Sequence, residues 1–273
     1  MTATRKFDHI EKGNYRDILY DVKDHIATIT INRPEKLNAF TQNTIYEWEH
    51  ALKRAEADKD VGVIVFTGAG ERAFSAGGDV NWEKEGGTRE EDYHTAELII
   101  KCPKAVIARV NGWCIGGGNH LAYFCDITIA AEHARFGQNG PRVGSPAGGY
   151  MVAHAANIIG HKRAREMWML CRRYSAQQML AWGLVNAVVP MAELDAEVKK
   201  WADEIMALSP TCIATVKHSF QYILDERLTM QKDLFEVLNH VRPDYFETGE
   251  QNEGASAFLE KRKPDFSQWR FGK

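Results

Sequence analysis

Two apolar segments, each followed by a glycine-rich stretch, constrain the fold of this chain more than any other feature. Residues 61–67 and 105–110 are almost continuously apolar. A continuous apolar run is typical of a strand in a sheet that is covered on both faces. Residues with helical apolar spacing lie between and around them, at 41–57 and 93–101. This alternation of strand, helix and strand predicts an α/β layered fold with crossover connections.

The remaining elements follow from apolar spacing and from turn residues. Residues 18–22 and 26–31 predict a hairpin, 126–130 and 184–189 predict strands, and the polar segment 79–87 predicts a loop. Further helices are predicted at 117–124, 151–159, 164–171, 176–182, 194–207 and 211–224. Since strand signals fade after residue 149, we expect an α/β core over residues 1–195 and a helical C-terminal region over residues 196–273.

Composition and charge exclude several classes of protein. The net charge of −3 leaves no global basic field, so we expect no nucleic-acid partner. No apolar run approaches about 18 residues, so no membrane partner is expected. The polar first twenty residues are unlike a secretory signal. The five cysteines have no metal-like spacing with histidine, which favours reduced thiols, a cytoplasmic location and no bound metal.

The two glycine-rich stretches are the strongest candidates for chemistry. They are FSAGGD at residues 74–79 and NGWCIGGGNH at residues 111–120, and each follows a predicted strand region. Ligands of α/β folds collect at the carboxyl ends of such strands, and glycine lets a backbone approach a ligand closely. Two loops that each aim one N–H at the same oxygen form an oxyanion hole. The plainer alternative is a pair of tight turns.

An ordered set of motifs makes the resemblance specific. Beyond the two glycine stretches, the set comprises NRP at 32–34, NA at 38–39, CD at 125–126, FGQ at 136–138 and GLVN at 183–186. Together these motifs resemble the crotonase (enoyl-CoA hydratase/isomerase) superfamily over residues 15–270. The resemblance implies a ClpP-like spiral of ββα units, a helical C-terminal trimerisation region, and a trimer or dimer of trimers. It also implies a coenzyme A thioester as substrate, with no bound cofactor.

The resemblance also implies roles for particular residues. The oxyanion-hole N–H groups fall on Ala76 and Gly117. Residues implied to contact coenzyme A are Lys36, Leu37, Ala39, Ala76, Gly78, Asp79, Val80, Phe258 and Lys261. Trp113 and Gly140 are further candidates for the substrate site, and Trp113 could either wall an acyl pocket or pack in the core. Phe258 and Lys261 would come from a neighbouring subunit or from the C-terminus of the same chain. Asp79 is expected to order backbone N–H groups rather than to act as a base.

Two departures from the hydratase pattern bear on the reaction. Hydratases of this family carry one glutamate after the triple glycine and another after the Phe-Gly-Gln motif, where this chain has His120 and Gly140. Residues 137–145, 160–168 and 260–266 resemble instead the branch of 1,4-dihydroxy-2-naphthoyl-CoA synthase and 2-ketocyclohexanecarboxyl-CoA hydrolase. That branch makes or breaks a carbon–carbon bond beside the thioester. Its aspartate and tyrosine are replaced here by Ala147 and Phe246, although Tyr245 is adjacent.

Several side chains could replace the missing acids. His120 is either a general acid/base, since histidine titrates near neutral pH, or a structural histidine. Ser145 and Tyr150 could bind a substrate carbonyl, although packing accounts equally well for Tyr150. The polar segment after Asp79 supplies possible lid residues, namely Glu83, Glu85, Tyr93 and His94.

Three functional hypotheses remain. The first is an enzyme that acts on a cyclic or β-keto acyl-CoA through an enolate, with ring-opening hydrolysis favoured over condensation. The second is an enoyl-CoA hydratase, isomerase or lyase with a non-standard acid/base. The third is a non-catalytic relative that binds coenzyme A or RNA, which the intact glycine loops disfavour.

Overall fold

Two sheets form the frame of the molecule in the computed structural model, which describes residues 8–87, 94–230, 238 and 242–266. The strands of the described part are β1 (Ile18–Lys23), β2 (Ile26–Ile31), β3 (Val63–Gly68), β4 (Ala73–Ser75), β5 (Ala105–Val110), β6 (Trp113–Ile115), β7 (Ile127–Ala131), β8 (Arg135–Gly137), β9 (Tyr174–Ser175) and β10 (Ala187–Val189). The larger sheet has the order β1-β2-β3-β5-β7-β10, and the smaller sheet has the order β4-β6-β8-β9.

The α-helices of the described part are α1 (Asp8–Glu11), α2 (Gln42–Ala57), α3 (Val80–Lys84), α4 (Thr95–Lys101), α5 (Gly117–Phe124), α6 (Gly140–Val143), α7 (Gly149–Ile159), α8 (His161–Leu170), α9 (Ala176–Trp182), α10 (Leu194–Met206), α11 (Pro210–Met230) and α12 (Glu250–Leu259). None of these helices combines the length and apolar character needed to cross a membrane.

From β3 to β8, successive strands alternate between the two sheets. β3, β5 and β7 pair in parallel in the larger sheet, and β4, β6 and β8, which follow them along the chain, pair in parallel in the smaller one. The chain therefore winds as a spiral of two-strand units, and the predicted α/β class is confirmed. The smaller sheet was not predicted, because strands of two or three residues are too short to show a period.

The predicted hairpin is present as an antiparallel pair of β1 and β2. Its two-residue turn consists of Asp24 and His25, which have φ angles of 50° and 64°. Both residues therefore adopt the left-handed conformation that a type I′ turn requires, a conformation that usually falls to asparagine and glycine.

The larger sheet is covered on both faces, as its apolar strands predict. Ile64 and Phe66 of β3 point into the main core, together with Trp48 of α2. Val63 and Val65 point the other way and pack against α10. The predicted domain boundary at residue 195 therefore falls inside a helix that packs on the sheet, and the division into two regions stays a prediction.

A buried carboxylate fixes the entry to β1. Glu47 of α2 is fully buried, and its carboxylate accepts the backbone N–H groups of Arg16 at 2.8 Å, Asp17 at 2.8 Å and Ile18 at 3.2 Å. Asn43 donates a further hydrogen bond at 3.0 Å. The contact anchors the segment before the sheet to α2, since each of these N–H groups finds an acceptor on one side chain.

Lys217 anchors α11 to the core. Its Nζ donates to Oδ2 of Asp126 at 2.7 Å and to the carbonyl of Lys104 at 2.8 Å. The other Asp126 contact is the N–H of Val106, which donates to the same oxygen at 2.7 Å. The aspartate of the Cys-Asp motif thus joins the larger sheet to a C-terminal helix.

Candidate active site

Three loops meet where the parallel strands of the smaller sheet end. They follow β4, β6 and β8 and comprise residues 76–79, 116–118 and 138–140. The strand register aligns Ser75 with Cys114 and Ile115 with Gly137, so the loops begin at the same edge of the sheet. Carboxyl ends of parallel strands are where ligands of α/β folds bind.

In the first loop, every N–H but one is engaged within the chain. Ala76 donates to the carbonyl of Leu37 at 3.0 Å, Gly77 donates to Oγ of Ser75 at 3.2 Å, and Asp79 donates to the carbonyl of Phe40 at 2.8 Å. The donor role predicted for Ala76 is therefore corrected, because its N–H already has an acceptor. No described residue accepts the N–H of Gly78.

The second loop ends in the first turn of α5. Gly116 has a φ of 56° and donates its N–H to the carbonyl of Gly137 at 3.0 Å. Gly117 begins the helix, and none of the described residues accepts its N–H. The first N–H groups of a helix point out of its end, where the helix dipole favours negative charge.

The two loops are in direct contact. A Cβ placed on Gly77 would lie 3.3 Å from the backbone nitrogen of Gly117 and 3.0 Å from the carbonyl oxygen of Ile115. A Cβ on Gly118 would overlap the backbone of Ser75. Only glycine permits this approach, which brings the two loops that carry the open N–H groups into contact.

A half-buried carboxyl group lies against the first loop. Oε1 of Glu83, on α3, fills the space that a side chain at Gly78 would need. Burial raises the pKa of the Glu83 carboxyl to about 7, opposed by a hydrogen bond from Ser145 and assisted by the charge of Asp79. The polarity of this segment predicts a loop, whereas residues 80–84 form a short helix.

Asp79 begins that short helix. Its side chain accepts the N–H of Asn81 at 3.1 Å, the contact of a helix N-cap. It also lies 3.4 Å from a guanidinium nitrogen of Arg33. Both oxygens therefore order the backbone and the neighbouring segment, the kind of role that the sequence predicted for Asp79. An N-cap aspartate before Val-Asn-Trp-Glu is the sequence signal that could have revealed α3.

Ser145 is held beside Glu83 by the loop that follows α6. Its N–H donates to the carbonyl of Gly140 at 3.0 Å, which closes a turn. The preceding carbonyl, of Gly144, accepts the hydroxyl of Tyr245 at 2.5 Å. Tyr245 is buried, so the residue next to the expected tyrosine position supports this loop from the C-terminal region.

His120 is poorly suited to proton transfer at neutral pH. Burial lowers the pKa of its imidazole to about 4, opposed by the nearby Gln138 side chain. Its ring lies against the rings of Tyr123 and Trp168, with centroids 5.5 and 5.3 Å away. No described residue bonds its shielded Nε2. The imidazole is therefore neutral near pH 7, which supports the structural interpretation of His120.

Two aromatic candidates lie away from the loops' meeting point. Tyr150 is buried in the core, its ring packs on Phe124, and its hydroxyl lies 3.0 Å from Nδ1 of His154. This supports the packing interpretation of Tyr150. Trp113 is the first residue of β6 and is 40% exposed, so it lies at the opposite end of that strand from the glycine loop. Its predicted place in the wall of an acyl pocket stays a prediction.

The remaining candidates lie around the first loop and on the C-terminal helix. Leu37 has a φ of 52°, Lys36 is exposed beside it, and the segment through Ala39 pairs with the first loop through a bridge between Phe40 and Gly78. Val80 is half-buried at the start of α3. These contacts neither test nor contradict the predicted roles in coenzyme A binding, which stay predictions.

Phe258 and Lys261 lie on or just after α12, which packs on α3 and α6 of the same chain. Both are exposed.

The other possible lid residues lie between α3 and α4 along the chain. Glu85 is exposed at the end of α3, and the exposed His94 lies 3.6 Å from Glu97. Tyr93 falls outside the described residues. Within the described ranges, no group of three histidine, cysteine, aspartate or glutamate side chains is arranged to hold a metal ion.

Comparison with known proteins places these observations in a family. The family model described as enoyl-CoA hydratase/isomerase matches residues 21–270. An enoyl-CoA hydratase/isomerase structure from Xanthobacter autotrophicus Py2 is 32% identical, with a TM-score of 0.77, and the match covers 92% of this chain and all of that one.

Two further solved structures are similar over nearly the whole chain. An enoyl-CoA hydratase from Mycobacterium avium subsp. paratuberculosis K-10 is 29% identical, with a TM-score of 0.78 and coverage of 93% of this chain and 99% of that one. A methylmalonyl-CoA decarboxylase in complex with 2-nitronate-propionyl-CoA is 29% identical, with a TM-score of 0.82 and coverage of 92% and 98%.

Proposed function

The chain belongs to the enoyl-CoA hydratase/isomerase family, within the crotonase superfamily, and is an acyl-CoA-processing enzyme; from this premise we propose that it works through a thioester enolate. The enolate oxygen is held by the N–H groups of Gly78 and Gly117. The reaction it serves is cleavage of a carbon–carbon bond in a cyclic β-keto acyl-CoA by water. Condensation would pass through the same enolate in the opposite direction.

One observation carries this proposal, namely the contact of two loops that each present an N–H without an acceptor in the described chain. A thioester oxygen becomes negative as the enolate forms, and preorganised N–H donors stabilise that charge without reorganising. Glycine is needed at both positions, because the side chain of Glu83 fills the Cβ space at Gly78 and the ring of Phe40 fills that at Gly117. The nitronate ligand of the similar decarboxylase is, like an enolate, the conjugate base of a carbon acid, which supports the same intermediate here.

Cleavage is favoured over hydration because the hydratase acids are absent from their expected places. His120 is neutral at pH 7, and Gly140 has no side chain. In ring opening, water adds to the ring ketone and the bond to the α-carbon breaks. The electron pair of that bond becomes the thioester enolate, which then takes a proton at the α-carbon. The product is an open-chain acyl-CoA with a new carboxylate.

Hydration or isomerisation of an enoyl-CoA is the second candidate. Two of the similar structures carry hydratase or hydratase/isomerase in their descriptions. The titratable carboxyl of Glu83 beside the oxyanion loop would serve that chemistry as well. Ring-opening cleavage and hydration each add the mass of one water, and isomerisation adds none. A test must therefore identify the functional group that forms.

We expect incubation with 2-ketocycloalkanecarboxyl-CoA thioesters in H₂¹⁸O to yield a product that is one water heavier, with ¹⁸O in a new carboxyl group. Methyl esterification before mass spectrometry counts that carboxyl, and a thiol reagent checks that coenzyme A is not released. Enoyl-CoA thioesters serve as the matched panel. A hydroxyacyl-CoA product without a new carboxyl would replace cleavage with hydration, and no product from either panel would contradict the enzymatic proposal.

We further propose that the chain assembles as a trimer or a dimer of trimers. Exposed apolar side chains on α8 and α11 support self-association, notably Met169 at 72% exposure and Phe220 at 64%. Val216, 55% exposed, lies one helical turn from Phe220, so the two form an exposed apolar patch of the kind that marks an interaction site. Sedimentation equilibrium should give three or six times the mass of one chain, and a monomer would contradict the assembly.

A further inference from the structure

We propose that Glu83 is the catalytic residue that carries the proton of this reaction, an inference that rests on the enolate function proposed above. Neither of the family's two carboxylate positions supplies this group here. Glu83 comes instead from α3, directly after the first oxyanion loop. The site thus combines backbone donors from two loops with a side-chain acid from the segment that one loop leads into.

The position of the carboxyl group supports this role. Oε1 of Glu83 lies over Gly78, whose N–H is the free donor of the first loop. A thioester oxygen bound to that N–H would place the adjacent α-carbon beside the same loop. A general acid/base must lie within hydrogen-bond reach of the atom it serves, and the Glu83 carboxyl is in contact with Gly78.

The surroundings of the carboxyl group suit proton transfer near neutral pH. Burial raises its pKa to about 7, Ser145 donates a hydrogen bond that opposes the rise, and the charge of Asp79 adds to it. From α12, the neutral Gln251 donates to the backbone carbonyl of Glu83 at 3.3 Å. A group that titrates near the working pH can both accept and return a proton.

The C-terminal region holds this arrangement in place. Tyr245 donates to the carbonyl of Gly144, and Ser145 follows directly in the chain. A Cβ on Gly254 of α12 would overlap the backbone of Val143, so α12 lies against α6 with no intervening side chain. Ser145 and Tyr245 are therefore positioning residues, which act on the reaction through Glu83.

In ring opening, Glu83 accepts one proton and later returns one. Its carboxylate removes one proton from the attacking water, and the remaining hydroxide forms a bond to the ring ketone carbon. The bond from that carbon to the α-carbon breaks, and its electron pair forms the enolate. The protonated Glu83 then donates to the α-carbon, so one water is consumed and the carboxylate is restored.

The test compares Glu83→Gln with Glu71→Gln, a change at an exposed glutamate that precedes β4 and lies at the other end of that strand. α-Proton exchange of a saturated acyl-CoA into D₂O, followed by NMR, reverses the last proton transfer and measures enolate formation directly. Glu83→Gln should lose exchange about 100–10,000-fold, the range of general acid–base groups, while Glu71→Gln stays at the wild-type rate. Affinity for the thioester should remain within about threefold in both.

Two results would overturn the inference, and they differ. Exchange in Glu83→Gln within about threefold of the wild type would remove Glu83 and leave the enolate function standing. Absence of exchange in the wild type, with every thioester tried, would remove the enolate function and the role of Glu83 with it. Glu83→Asp keeps a shorter acid and should retain part of the exchange. This variant tests the inference if Glu83→Gln folds poorly.

The pH dependence of the rate supplies a readout that a structural role would not move, and the pH dependence of stability checks the raised pKa itself. In the wild type, the hydrogen bond from Ser145 lowers the pKa of Glu83. Ser145→Ala removes this bond and should shift the apparent pKa of the rate profile upward. Unfolded Glu83 loses its proton near pH 4.5, while the folded residue keeps it to about pH 7. Wild-type stability should therefore fall as pH rises through this window, and Glu83→Gln should remove that fall. A rate profile whose apparent pKa is the same in Ser145→Ala and the wild type would contradict the inference.

Discussion

Proline at position 117 should slow turnover about 100–1000-fold relative to alanine at the same position, the usual loss for one oxyanion-hole donor. Gly117 is the first residue of α5, where proline is well tolerated because the N–H has no helical partner. Proline removes that N–H, whereas alanine keeps it. The two variants thus differ in the proposed donor and share the added Cβ.

Both variants need space for that Cβ, which would overlap the ring of Phe40. The comparison is therefore made in a Phe40→Ala background, with Phe40→Ala alone as the reference. Steady-state kcat and the affinity for a substrate analogue separate chemistry from binding. Equal kcat for the proline and alanine variants would show that the Gly117 N–H does not bind the reacting oxygen.

Glu47→Leu should cause the largest loss of stability among single side-chain changes discussed for this chain. The carboxylate accepts three backbone N–H groups, from Arg16, Asp17 and Ile18, and leucine offers no acceptor. A buried donor left without an acceptor costs roughly 1–3 kcal/mol, so a total loss on the order of 3–5 kcal/mol is expected. The added apolar surface offsets only part of it.

Urea unfolding followed by circular dichroism measures this difference as a shift in the transition midpoint. Glu56→Leu, on the same helix but less buried, is the matched control and should change stability far less. Glu47→Gln should lie between the two, because its amide retains one acceptor oxygen. A Glu47→Leu midpoint equal to that of Glu56→Leu would show that the three N–H groups find other acceptors.

The larger sheet could be predicted from the sequence because its strands are long and apolar. Residues 61–67 and 105–110 each show the continuous pattern of a strand covered on both faces, and the structure places β3 and β5 there. The smaller sheet has strands of two or three residues, such as β4 and β8. Their pairing depends on how the whole spiral folds, and no local sequence pattern predicts it.

The candidate site was predictable to the level of its loops and not of its atoms. Whether Ala76 or Gly78 keeps a free N–H is decided by the carbonyl of Leu37, which lies 39 residues earlier in the chain and accepts the N–H of Ala76. The raised pKa of Glu83 depends on burial and on Ser145, from another part of the spiral. Such contacts between distant segments determine which N–H has no acceptor and which carboxyl titrates near neutral pH. The spacing of motifs does not predict these contacts.

The donors near Gly78 and Gly117 belong to the main chain, and this makes them resistant to genetic change. A single substitution can delete a glutamate or a histidine, but only a change to proline deletes a backbone N–H. Side chains around the loops can therefore diverge through gene duplication while the capacity to hold an oxyanion is inherited intact. A chain built in this way can acquire a new reaction by exchanging its acid, without having to evolve a second means of stabilising the intermediate.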